Sequence, residues 1–484
     1  MFTLLSFAFC LIIFVYIKRP RLNQNEPPLV PYTIPVIGHT YDFLFNSDKF
    51  IRKCIKEYGE PFNIIVFGRV TTVVSQQYLP EVFRAHESFD VFEVLEEIFP
   101  MHVILNHDLD FNFHAKTVRE QISGKLKYHI HNIQKNILYG IDKWIGESNG
   151  KVVWDIANHI VAKSTAHTCE ASNYDDITHT FATLSDEIFK VFSIPPILSF
   201  IHPKLHGYFI TLPFLIGFNP ITKHKNILIN RIKPVVEKRI QQKRELGDLY
   251  QPHDDLLEFY MSNPDFDSTN VDYQKLANLI AFMIIVGIIT TGRSAVNLLY
   301  DYASRPEYWD ELYEEALKID KESNEELTVD DVDKMKKLDS FVRESLRHTS
   351  DIFVTPHAVV AKQYTFSNGY TIPKGRQVYD FSEGCLFSES QYGPDPKSFK
   401  PFQFLSQNVS ATKIDKSYVI FGGGRHACPG RFYAVMTMKL FLHKIMLKYK
   451  VRTEEGGVAK KKMLGPLALP PKVPLVFERR EKGI

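Results

Sequence analysis

The sequence predicts a mainly α-helical molecule with a small β lobe, and three patterns carry that prediction. Apolar residues recur at helical spacing over most of the chain from Leu79 onward, most clearly at 126–146, 156–169 and 273–304. Between Phe353 and Phe404 the chain turns instead to strand-forming runs broken by glycines and prolines. Helical periodicity then returns from Arg431 to about Val451, directly after a glycine-rich stretch.

In chain order, the apolar run Phe2 to Ile17 comes first, followed at once by Lys18-Arg19-Pro20-Arg21. The run is slightly short of the roughly 20 residues that span a bilayer. It has neither the basic flank before it nor the small-residue site after it that a cleaved signal peptide needs. Residues 1–21 therefore read as an uncleaved membrane anchor helix, with the basic flank holding the rest of the chain in the cytosol. Residues 22–38 carry Pro27, Pro28, Pro31 and Pro35 and form a stiff connector in which helix cannot persist. Residues 39–484 follow as one large unit. A short helix is expected over Asp48 to Tyr58, and a hairpin around Gly68 joins Phe62–Phe67 to Thr71–Ser75.

From Val191 to Pro220 the pattern changes to an aromatic, proline-rich stretch with hardly a charge. Its prolines forbid one continuous transmembrane helix, and it reads as an apolar lid or as a core-packing loop. Tyr273 to Ser304 is apolar on nearly every face, which places it through the core of a large protein. Amphipathic helices are expected over Asp301–Lys318 and Leu327–His348.

Composition narrows the partners. A formal net charge of +2 is too balanced to imply nucleic acid. The 37 Phe and 23 Tyr suit an interior able to hold a flat apolar cofactor. Five scattered cysteines, an odd number, argue for a reducing compartment and against a disulfide framework.

The chemistry concentrates in Phe421-Gly-Gly-Gly424-Arg-His426-Ala-Cys428-Pro-Gly430. Pro429 suits a first helical position, which would put Cys428 just ahead of a helix N-terminus, where a thiolate is favoured. A lone thiolate without Cys or His partners at zinc spacing suits one axial bond to heme iron; otherwise Cys428 is a buried residue in a glycine-rich turn. The pattern Phe-x-x-Gly-x-(Arg/His)-x-Cys-x-Gly resembles the heme signature of the cytochrome P450 family, and the stretch His426 to Ala434 is most similar to fungal microsomal members.

That resemblance covers almost the full chain and implies the cytochrome P450 fold with heme b bound through Cys428. It implies cofactor-binding roles for Phe421, Gly424, His426 and Gly430, with His426 on a heme propionate. Arg119 and His357 are its further propionate candidates, and the alternative for His357 is a solvated strand residue. Within Glu344-Ser-Leu-Arg347 it implies a buried ion pair that braces the thiolate loop. On the long helix it implies that Val286-Gly-Ile-Ile-Thr-Thr291 lies over the heme, with Thr290 as the catalytic hydroxyl, unless that hydroxyl is bonded back to its own helix. Val286, Phe353 and Val354 would line the pocket.

Two departures stand out against the family pattern. Ile289 replaces the acid that usually precedes Thr290, removing a proton source. Gln403 replaces the Arg that usually completes the Glu344–Arg347 network, although an amide can still bond Glu344. The resemblance implies a monooxygenase acting on a lipophilic small molecule (sterol, terpenoid or fatty acid) with O2 and an NADPH–cytochrome reductase. Its place would be the endoplasmic reticulum membrane, single-pass, with the catalytic domain facing the cytosol. A hydroperoxide isomerase or dehydratase of the same fold, and a non-catalytic heme-binding protein, are the rival readings.

Overall fold

A computed structural model describes residues 6, 9, 13–98, 100–105, 110–146, 151–152, 159–163, 175–192, 194, 196–217, 219–324, 326–349, 354–464, 467–469, 471 and 473–481. Most of the expected anchor run, most of 156–169, and Phe353 lie outside them.

Eight helices position the site: α1 (Leu79–Arg84), α2 (Phe111–Thr117), α3 (Asp175–Phe192), α4 (Pro203–Leu215), α5 (Pro220–Leu246), α6 (Tyr273–Ala303), α7 (Lys336–His348) and α8 (Arg431–Lys448). The main sheet has five strands, β1 (Phe62–Val66), β2 (Arg69–Val74), β3 (Phe89–Asp90), β4 (Val354–Val359) and β5 (Gln377–Phe381). Their spatial order is β1-β2-β5-β4-β3. The expected hairpin is present: β1 and β2 pair antiparallel from Phe62↔Val73 to Val66↔Arg69. Phe67 and Gly68 both take positive φ at its tip, as a two-residue hairpin turn requires. Strand β2 runs parallel to β5, and β4 pairs antiparallel with β5, setting His357 opposite Val378.

Helix α6 is 31 residues long and opens with the Asp272 side chain accepting from the Lys275 N–H. Its most apolar window is 76% buried, and it is the one helix among the described residues long and apolar enough to cross a membrane. Packing against α3, α5, α7 and α8 makes it a core helix over most of its length, as its apolarity predicts. The helical core cluster is built on α6 and α8, and two smaller clusters sit against the sheet.

Several boundaries differ from expectation for identifiable reasons. Asp301 belongs to the end of α6; Pro306 then opens a short turn before the helix Trp309–Glu322. The segment expected as Leu327–His348 is broken at Met335, whose ψ of 73° is not helical. Helix α8 stops at Lys448 because Tyr449–Thr453 pairs as a strand with Leu475–Arg479. In the proline-rich stretch, Pro203 and Pro220 stand at helix starts, where a missing N–H costs nothing. The stretch is thus divided, with a short 3-10 turn at Ile197–Phe200 between helices.

Residues 25–30 are pinned to the sheet. Asn63 donates from its backbone N–H to the Pro28 carbonyl at 2.8 Å and accepts from the Val30 N–H at 2.9 Å. Its side-chain amide donates to the Pro27 carbonyl at 2.7 Å, and buried Glu26 pairs with buried Arg376 at 2.6 Å.

Candidate active site

The cysteine loop is built by short-range backbone hydrogen bonds between tightly packed neighbours. Phe421 contributes its carbonyl, which accepts the Cys428 N–H at 2.8 Å and closes the loop on itself. Arg431 donates from Nη1 to the Cys428 carbonyl at 2.9 Å, and Ser123 Oγ donates to the Pro429 carbonyl at 2.7 Å. Gly424 has φ +60°, and a Cβ there would sit 2.1 Å from the Phe83 carbonyl oxygen. A Cβ on Gly423 would strike the Phe83 ring at 2.2 Å. These two glycines therefore serve the close approach of α1 to the loop. At Gly430 an added Cβ would lie 3.4 Å from Val118 Cγ1 and 4.0 Å from the Cys428 sulfur, so this position stands in ordinary contact with both.

The helix after the loop starts two residues later than the proline suggested. Its first residue is Arg431 and its cap is Gly430, so Pro429 stands ahead of the cap and not at the first helical position. Cys428 is half-buried, and burial pushes its thiol up from the ordinary value. The Gly430 N–H, the Arg431 charge and the Arg431 N–H oppose that shift without reversing it. Burial thus outweighs the helix end at this thiol, and a bound metal would deprotonate it outright.

The remaining expected site residues fall in different settings. His426 is half-buried, with its ring 5.9 Å from Phe92 and 6.4 Å from His86. Arg119 is exposed, in a π-helical turn (Val118–Ile122) whose Val118 borders Gly430. His357 is only 6% exposed, with its ring 6.1 Å from Phe83. The solvated alternative for it is thereby removed, because β4 lies inside the sheet between β3 and β5.

On α6, residues 276–285 and 295–303 are buried, but Val286 and Thr290 are exposed one turn apart. A Cβ placed on Gly287 would meet nothing within 4 Å. The middle of the core helix therefore presents one open face. Thr290 Oγ1 donates to the Val286 carbonyl at 3.0 Å, so its proton is committed to its own helix while its lone pairs stay available.

Behind the loop, Glu344 and Arg347 of α7 are both buried and joined by two hydrogen bonds of 2.7 and 2.8 Å. Arg347 also donates to the carbonyls of Leu386, Pro396 and Ser398. Glu344 accepts the Lys400 N–H at 2.7 Å, and His348 lies 3.3 Å away. Burial alone would raise the Glu344 carboxyl, but hydrogen bonds and charge from Arg347 and His348 hold it at about 2. Gln403 takes no part: its amide faces the Tyr392 carbonyl at 3.5 Å. The expected bond to Glu344 is absent; the Lys400 N–H and His348 approach Glu344 Oε1 instead.

Sequence reasoning missed His348 and Arg343. Arg343 pairs with Asp415 at 2.9 Å, donates to the carbonyls of Ser410 and Lys413, and lies 3.6 Å over the Tyr418 ring. It braces the strand of chain leading into the cysteine loop. Its only sequence signal is adjacency to Glu344 on an amphipathic helix.

Among the described residues no three His, Cys, Asp or Glu side chains stand together as a metal-ligand set. What the site offers is a single cysteine sulfur, next to a helix that packs on α6, whose middle presents an open face. That donor set fits heme iron held by one thiolate.

Comparison with known proteins gives the same answer. Residues 27–477 match the family model for cytochrome P450. The chain is 33% identical over 221 residues to the cytochrome P450 monooxygenase braC of Annulohypoxylon truncatum, covering 44% of each. It is 30% identical over 241 residues to the monooxygenase ltmQ of Epichloe festucae var. lolii, covering 48% of this chain and 44% of that one. It is also 30% identical over 255 residues to the monooxygenase 71 of Postia placenta, covering 49% and 50%. The matched stretches span about half the length of these relatives or less. With a family match running across nearly its whole length, the chain belongs to the cytochrome P450 family.

Proposed function

We propose that this chain is a membrane-anchored heme-thiolate monooxygenase acting on a lipophilic small molecule such as a sterol, terpenoid or fatty acid. The observation that carries the reading is the pairing of one cysteine sulfur, in a loop closed by its own backbone, with an open, apolar-flanked face on the core helix. The bound heme b iron would supply the binding and activation of O2. Cys428 would be its thiolate ligand, with the Phe421 carbonyl and the Gly430 and Arg431 N–H groups fixing the sulfur. Gly424 and Gly430 keep side chains out of the loop's packing, and His426, Arg119 and His357 are the cationic candidates for the propionates.

The reaction puts one oxygen atom into substrate and the other into water, consuming two protons and two electrons from an NADPH-dependent reductase. Thr290 bears on the protons. Its lone pairs can hold a water, but to donate a proton its hydroxyl must leave the Val286 carbonyl. Ile289 offers no replacement acid. This favours slow proton delivery, and it also supports the alternative of a hydroperoxide isomerase, which needs none. Val286 would contact substrate, with Val354 and Phe353 as further lining by family position.

The placement rests on the surface. Ile197, Ile201, Tyr208, Phe209, Leu212 and Leu215 are 53–68% exposed around α4, a concentration that suits a lid resting in a bilayer. With the N-terminal run as anchor, the cytosolic face of the endoplasmic reticulum is the expected location. A reduced-CO difference spectrum followed by turnover of a lipid panel with NADPH and reductase tests the reading. Product formation with O2 uptake supports it. Hydroperoxide rearrangement without reductase or NADPH, and no O2 uptake on any lipid, would replace it with the isomerase.

A further inference from the structure

The chain emerges from its N-terminal helix into a cavity whose charge is one-sided. This cavity has a volume of 480 Å³, within the usual range for small-ligand sites, and lies between the helix end and the proline-rich segment. Val15 and Tyr16 form one wall, Lys18 and Arg19 its rim, and Tyr32 and Val36 the opposite wall. No carboxylate lines it. Among the described residues neither Lys18 nor Arg19 enters an ion pair, whereas nearby Arg69 is already matched by Glu97. Burial and the Arg69 charge both push the Lys18 ammonium below its ordinary value, as expected of a cation facing another cation with no counter-charge.

The far wall is rigid. Tyr32 lies edge-on to His39 at 6.1 Å, and His39 is buried, joined to the Pro31 carbonyl at 3.1 Å and accepting the Ile65 N–H at 3.1 Å. Val36 is held at φ +69°, a strained conformation for a β-branched residue that its surroundings must impose. Apolar surface continues from both walls: Ile13, Tyr16 and Ile17 on the helix are 41–68% exposed, as are Ile34, Tyr41 and Phe45 on the other side. Two cations at a pocket's edge, without an ion pair among the described residues and bordered by exposed apolar side chains, suit a ligand that is anionic at one end and apolar at the other.

We propose that this cavity binds an anionic glycerophospholipid, its headgroup phosphate held by Lys18 and Arg19 and its acyl chains lying along the exposed apolar side chains. The proposal rests on the membrane-anchor reading and deepens it. A bound lipid would fix the angle between the anchor and the domain, because residues 25–30 are pinned to β1 and the far wall is part of that rigid body. Soluble phosphate shares the headgroup chemistry but would leave the apolar border uncovered.

The test uses the full-length chain in nanodiscs of phosphatidylcholine mixed with phosphatidylserine, with retained lipid counted by native mass spectrometry. Wild type should retain phosphatidylserine above its bulk fraction. Lys18→Gln/Arg19→Gln should lose that preference by roughly 30-fold, the scale of two basic residues at an anionic surface. Lys18→Arg/Arg19→Lys should keep it. Equal retention by wild type and the Gln variant would overturn the proposal. So would displacement of the lipid by inorganic phosphate, which would make the cavity a free-anion site. Flotation with pure phosphatidylcholine vesicles at high salt separates the two ideas. Both proteins should float, and if neither does, the anchor reading itself fails.

Discussion

The region behind the cysteine loop and the face around α4 differ in how far their groups find partners inside the molecule. Around Glu344 and Arg347, three carbonyls, one backbone N–H and a histidine converge on one buried pair. On α4 and the turn before it, large apolar side chains stand in the open. The first region is overdetermined, so any change leaves a buried polar group unsatisfied. The second is underdetermined, and what it contacts must come from outside the chain. The open stretch of α6 lies between these extremes, with a buried helix whose mid-turn faces free space. On the proposed function, rigidity is concentrated behind the metal ligand and freedom where an apolar substrate would enter.

The largest effect should come from Cys428→Ala. With the only thiolate of the loop gone, the ferrous–CO spectrum should lose its thiolate-type Soret band completely, while membrane association is unchanged. A thiolate-type band that survives would show that a different residue is the ligand, and the contrast between the two regions would lose its centre.

Second, Arg347→Ala should cost about 3–5 kcal/mol, because it strands the buried Glu344 carboxylate and the carbonyls of Leu386, Pro396 and Ser398. Gln403→Ala should cost no more than about 1 kcal/mol, since its one contact is a 3.5 Å approach to the Tyr392 carbonyl. Denaturant midpoints would separate the two. The Glu344 carboxyl is held at about 2, below its unfolded value, so its stabilisation is present above that value and is lost as pH falls toward 2. Wild type should therefore lose stability over that interval more steeply than Glu344→Gln.

Much of the bracing region was legible in the sequence, because the ligand motif is contiguous and the family resemblance it carries implies a buried role for Glu344 and Arg347, whose spacing alone would equally suit a surface pair. The partner of Glu344 was not. Gln403 holds the position where a charge was expected, yet His348 and the Lys400 backbone do the work, and backbone donors leave no trace in side-chain identity. The early end of α8 at Lys448 was hidden in a different way: Tyr449–Thr453 alternates buried and exposed residues as a strand does, but it follows the helix with no Gly or Pro between them, and its partner strand lies 22 residues or more downstream. The long core helix, the Gly68 hairpin and the division of the proline-rich stretch were readable from periodicity and turn residues alone. His357 was misread as a candidate for solvent because strand burial depends on its neighbours in the sheet, not on the strand's own pattern.

Third, substitutions on α6 probe the intermediate zone. Ile289→Asp should raise the fraction of NADPH electrons that end in product, with an upper scale set by the roughly 10²–10⁴-fold worth of a positioned proton donor. Thr290→Ala should lower that fraction and raise peroxide release, because it removes the lone pairs that would hold water. If both variants leave hydroperoxide turnover unaltered and NADPH is never consumed, the open face serves an isomerase.

The smallest effect on folding should come from the most apolar substitutions of all, Phe209→Ser and Leu212→Ser on α4. Both side chains are 53% exposed, so removing them takes little apolar contact out of the interior. Thermal stability should stay within about 0.5 kcal/mol of wild type, the usual range for surface changes. In a bilayer the balance changes: each side chain that leaves hydrocarbon gives up about 1.5–3 kcal/mol of burial, less whatever the interface already hydrates. After deletion of residues 1–21, wild type should therefore retain a weak, salt-insensitive vesicle affinity that the double variant loses. A double variant that keeps its vesicle affinity but unfolds at lower temperature would show that α4 packs against the protein. The two regions would then differ in polarity alone and not in whether their partners are internal or external.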